Sequence, residues 1–127
     1  MAEIQSYKDL KVWQAAMTIA VSCYGLTRRF PKDEMFGMSA QIRRAAVSIA
    51  ANIAEGHGRE TSATFAHFLR ISQGSLKELE THLLLAEQVD LASIETIAPV
   101  LEQCDELGRM IRSLIRSMEQ KAAGRAQ

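Results

Sequence analysis

Apolar residues return at every third or fourth position along most of this chain, and the breaks in that rhythm divide it into four segments. The third is the most regular. Phe65, Leu69, Ser72, Leu76, Leu79, Leu83 and Ala86 alternate steps of four and three, with Ser72 the one polar member. The fourth follows the same rule through Ile94, Ile97, Leu101, Cys104, Gly108, Ile111, Ile115 and Met118, and Val100, Leu107 and Leu114 widen its stripe. In the second, Ile42, Ala46, Ile49 and Ile53 make a seam flanked by Ala and Ser, small residues that let helices approach closely. Turn-forming residues interrupt the pattern at 31–34, 56–58 and 90–93. The pattern predicts helices at about 8–29, 36–55, 62–88 and 94–120, with a frayed tail at 121–127. Short connections favour antiparallel neighbours, so the expected fold is all-α: one domain over 1–127, an antiparallel up-and-down four-helix bundle.

Three local features refine this reading. Pro99 stands in the second turn of a helix capped by Ser93, where its ring opposes the carbonyl four residues back, so that helix either kinks there or begins nearer Thr96. Gly74 costs about 1 kcal/mol relative to Ala in a helix interior, which predicts a close approach of another backbone or bulky side chain. The first segment carries two adjacent seams: Val12, Ala16, Ile19, Cys23, Leu26 and Phe30 on one, and Leu10, Trp13, Met17, Ala20 and Tyr24 on the other. A wide core face accounts for both. A subunit interface built on Trp13, Met17 and Tyr24 accounts for the second, because such residues are enriched in interfaces.

Composition agrees with helix: of 127 residues, 47% are hydrophobic, and seven Gly and two Pro are too few for a turn-rich β protein. No apolar run approaches the roughly 20 residues of a membrane span, and the first residues lack a signal pattern, so a cytoplasmic protein is expected. Cys23 and Cys104 have no CxxC partner and read as small apolar fillers.

Fifteen basic and fifteen acidic residues cancel overall, but unevenly. Residues 1–70 hold nine basic and six acidic groups, 71–108 one and eight, and 109–127 five and one. Arg109, Arg112 and Arg116 share one side of the last helix. They read either as a phosphate-binding stripe or as cations complementing a helix C-terminus and an acidic neighbour. In the second helix Arg44, Ser48, Asn52 and Glu55 form a polar stripe beside the isoleucine seam, with Arg43 about 100° away and Arg59 just beyond. If buried, these groups need partners, and Glu78 is the obvious one on the third helix, giving a network of Ser48, Asn52, Glu55 and Glu78 that fixes register. The alternative is that Arg43, Arg44 and Arg59 present guanidinium forks to phosphate or carboxylate.

Catalytic chemistry has little footing. His57, His67 and His82 fall in no HExxH or ExxH pattern, and the sequence has no GxxxxGK[ST] or GxSxG loop. No catalytic residue, metal site, cofactor or small-molecule substrate is expected.

Three stretches, YKDLKVWQAA, FPKDEMFGMSAQIRRAAVSIAANIAEGHGR and FLRISQGSLKELETHLLLA, are specific in order and spacing. Phe30-Pro31, Glu34, Gly37, Gln41, Arg43-Arg44-Ala45, Ser48, Asn52 to Gly56, Arg59, and Gly74-Ser75 with Glu78 resemble the pattern of the large-subunit (23S) ribosomal RNA intervening-sequence proteins. Met38 and His57 depart from it. The resemblance implies a bacterial four-helix bundle assembled as a homopentameric ring, with no catalytic residues. A more distant branch resembles the accessory subunit of diversity-generating retroelements, a basic pentamer that binds nucleic acid and a reverse transcriptase. This chain's pI of about 6.8 departs from that branch. Two functions follow as expectations. In the first, an oligomeric, non-enzymatic scaffold binds RNA through Arg43, Arg44, Arg59, Arg109, Arg112 and Arg116. In the second, an adaptor recruits a nucleic-acid-processing protein, and the arginines are structural.

Overall fold

The computed structural model describes residues 6–126. The helices are α1 (Lys11–Thr27), α2 (Met38–His57), α3 (Ser62–Gln88) and α4 (Ile94–Ala126), with short 3₁₀ turns at Tyr7–Asp9 and Lys32–Glu34 and no strand among the described residues. Each helix packs on its neighbours in sequence, α1 also packs on α4, and among the described residues the backbones of the diagonal pairs stay apart. Neighbours run antiparallel. Arg43 near the start of α2 reaches Thr27 at the end of α1, Gly56 at the end of α2 abuts Phe65 and Phe68 at the start of α3, and Arg70 early in α3 pairs with Glu119 late in α4.

The periodicity finds its physical cause in the core. Every member of the third-segment seam is buried, as are Ile42, Ala46, Ile49 and Ile53 of α2 and the first seam of α1, Val12 through Phe30. On α4 the stripe from Ile97 to Met118 faces inward, Leu101 and Leu114 are half-buried at its edges, and Ile94 is exposed because it opens the helix beyond the core.

The ends are set by local chemistry. Thr61 caps α3 by accepting from the Thr64 amide, and the Glu34 carboxylate accepts from the Met38 amide at the start of α2. Ser93 caps α4 through the Thr96 amide, so α4 starts at Ile94 and carries Pro99 inside it. At the end of α3, Asp90 adopts φ 64°, and the Leu91 amide donates back to Ala86, a left-handed cap usually given to glycine. Helix α4 runs on through Ala126 where a frayed tail was expected, and Gln127 lies outside the described residues.

The expectation for Gly74 is overturned. Nothing lies within 4 Å of a Cβ built there, because Gly74 faces out of the bundle. The close approach is instead at Gly56, where a Cβ would stand 2.5 Å from Phe68 Cβ and 3.1 Å from Phe65 Cδ1.

Candidate functional site: an apolar groove between α1 and α2

The two flanks of α2 differ in how they close. Toward α3, Ser72 Oγ donates to the Ile49 carbonyl at 2.9 Å, Ser48 and Ser75 hydroxyls lie 2.9 Å apart, and Asn52 Nδ2 donates to both the carbonyl (2.9 Å) and the hydroxyl (3.1 Å) of Ser48. These bonds sit among small residues, so the backbones come close and the seam is filled.

Toward α1 the same helix offers Val47, Ala50, Ala51 and Ala54, opposite Tyr7, Trp13, Met17, Val21 and Tyr24. Short alanine side chains cannot reach the spaces between bulky ones. A groove of about 510 Å³ remains, almost wholly apolar in its lining, with Arg28 at its rim. The second seam of α1 is therefore split. Leu10 and Ala20 are buried and Trp13 is half-buried, but Met17 is 40% and Tyr24 37% exposed.

The aromatic residues of this groove are held by neighbours. Tyr7 packs edge-on to Trp13, ring centroids 5.3 Å apart. Tyr24 carries the Arg43 guanidinium 4.6 Å above its ring, Arg43 Nε donates to Thr27 Oγ1 at 2.8 Å, and that hydroxyl donates to the Cys23 carbonyl at 2.8 Å. Arg43 thus holds the Tyr24 wall and ties α1 to α2. Thr27, Val21 and Val47 were missed in the sequence, although Val21 and Val47 fall where the polar positions of their helices should be, which is the signal that could have found them.

The six arginines do not converge. Arg43 lies on the α1/α2 side, and Arg44 is exposed on α2. Arg59, at the α2/α3 turn, pairs with Glu55 at 2.7 Å and lies 5.2 Å over the Phe68 ring. Arg109 pairs with Asp105 one turn earlier on α4, whereas Arg112 and Arg116 are exposed there and have no ion-pair partner among the described residues. The expected register network is corrected accordingly. Ser48 and Asn52 belong to it with Ser75, but Glu78 is exposed and Glu55 turns outward to Arg59. Two charges at that depth would lose more solvation than they regain by pairing, and the hydroxyl and amide groups avoid that penalty.

Cys23 and Cys104 are free and buried, and burial pushes each thiol up to about 12. Among the described residues no group of His, Cys, Asp and Glu is placed to hold a metal ion, and no helix is long and apolar enough to cross a membrane.

Among curated proteins, none matches the chain. Of solved structures, it is similar to a protein of unknown function from the S23 ribosomal protein family of Bacteroides thetaiotaomicron, with 26% identity and a TM-score of 0.73, covering 82% of this chain and 97% of that one. The model of the 23S rRNA-intervening sequence proteins matches residues 8–113, which takes in α1, α2, α3 and the first part of α4. A family-model match over most of the chain, on a fold of four helices that agrees with it, shows that this chain belongs to the 23S rRNA-intervening sequence protein family.

Proposed function

We propose that the chain is a non-enzymatic cytoplasmic scaffold that joins copies of itself through the α1/α2 groove and offers its outward arginines to RNA. The observation that carries this reading is the groove itself: Trp13, Met17 and Tyr24 line an open apolar trough, with Trp13 packed on Tyr7 and Tyr24 on Arg43. Apolar side chains of this kind are the usual anchors of subunit contacts. The family resemblance supports a ring of five as the form of that assembly. A ring repeats Arg112 and Arg116 around an axis, which gives a local positive potential that a neutral single chain lacks.

Trp13→Ala with Met17→Ala should keep helicity and shift the sedimenting mass toward monomer; an unchanged mass would remove this face from the assembly. For the ligand, binding to structured RNA is measured across a salt series, with Arg109, Arg112 and Arg116 changed together to Ala. A shallower salt slope supports RNA, and no binding by the parent at low salt rejects it.

A second reading has its own support. Arg43, Arg59 and Arg109 are engaged within the subunit, which suits an adaptor whose arginines serve the fold and whose ring recruits a protein.

A further inference from the structure

The turn between α1 and α2 should be polar, yet it carries Met35, 53% exposed, and Phe36, 92% exposed. This is a built loop. The amides of Glu34, Met35 and Gly37 donate to the carbonyls of Pro31, Lys32 and Glu34, and the Glu34 side chain caps α2 directly beyond. A Cβ on Gly37 would lie 3.0 Å from Glu34 Oε1, so that cap also restricts the residue after Phe36. Phe36 contributes nothing to the core of its own subunit and is not among the residues lining its own groove. An aromatic side chain held outward on an ordered loop is an anchor without a pocket, and the α1/α2 groove is a pocket without an anchor.

From this pairing we infer that Phe36, with Met35, enters the α1/α2 groove of a second copy of this chain. The inference rests on the self-association reading and names the segment that fills the groove. Charge selects the same partner. Asp33, one turn before Phe36, and Arg28 at the groove rim are both exposed, and neither makes an ion pair among the described residues, so the docked loop brings an anion to a cation. Val21, 68% exposed, and Val47 extend the apolar floor that the loop covers.

Knob and groove occupy different places on one chain, so the contact is heterologous: each copy gives its loop to one neighbour and receives a loop from another. Such a contact closes into a ring or runs on as a filament, and it does not stop at a twofold dimer.

Phe36→Ser and Val47→Glu alter exposed positions and should leave helicity intact. Each alone is expected to weaken self-association by about tenfold or more, the scale of an aromatic anchor. Mixed in equal amounts, they should form a heterodimer in native mass spectrometry, because one variant keeps its groove and the other its knob. Asp33→Arg and Arg28→Asp should each weaken assembly at low salt, and together restore it. If Phe36→Ser assembles like the parent while Val47→Glu does not, the loop is not the occupant, although the groove still joins copies. If both assemble like the parent, or the parent is monomeric at every concentration, the groove reading falls and the loop with it. Failure of the mixture to pair overturns the heterologous contact.

Discussion

Helix α2 presents small side chains on both flanks, yet one flank closes and the other stays open. Toward α3, the Ser48 hydroxyl, held by Asn52, meets that of Ser75, Ser72 donates to the Ile49 carbonyl, and Gly56 makes room for Phe68, so small residues become close contact. Toward α1, alanines of the same size face Trp13, Met17 and Tyr24, and a groove is left. Small residues thus close an interface only where the opposing helix supplies matching shape and hydrogen-bond partners. Where it supplies bulk alone, they leave space for something else.

The largest expected effect tests whether α1 is dry on its inner side despite its open flank. Cys23 and Cys104 keep their protons to about pH 12 in the folded chain, whereas in the unfolded chain they ionise near 9. The unfolded state therefore binds fewer protons between those values. Stability is full below about pH 9 and falls by about 1.4 kcal/mol per pH unit for each thiol as pH rises toward 12. Chemical denaturation at several alkaline pH values checks this, and Cys23→Ala with Cys104→Ala should flatten the slope whatever its effect at neutral pH.

Next is the closed flank. Gly56→Ala forces a methyl into Phe68 and should cost about 1–3 kcal/mol in thermal or urea unfolding. Ser75→Ala removes one hydroxyl of the seam and should cost about 1 kcal/mol, read in the same way. By contrast, Ala51→Leu on the open flank should change monomer melting by no more than about 0.5 kcal/mol, because it grows into free space. One helix variant is expected to be a gain. Gly74→Ala should stabilise by about 0.5–1 kcal/mol, since its Cβ meets nothing and the helix gains propensity.

The helices were legible because each has one dry stripe, and a dry stripe writes a three-and-four rhythm into the sequence. The seams ending in Ala86, Ile53 and Phe30 needed nothing else. Gly74 and Glu78 were misplaced for a shared reason: both lie on α3, and the sequence does not record how far that helix is rotated about its own axis relative to α2. Ser48 and Asn52 were found because they abut an isoleucine seam, but Ser75, the partner of Ser48 across the seam, depends on the pairing of α2 with α3. The groove was half legible. Its α1 wall appears as a second seam, while its depth comes from alanines on another helix. Phe36 is plain in the sequence only when an apolar pair inside a polar turn is treated as a signal.

Trp13 is the only tryptophan of the chain and stands in the groove wall, so its fluorescence reports directly on what fills that groove. With the mass followed by sedimentation over the same dilution series, its emission should move to longer wavelength in step with dissociation, as the wall meets water. Emission that stays constant while the mass falls would show that copies join through another face, and would contradict the account.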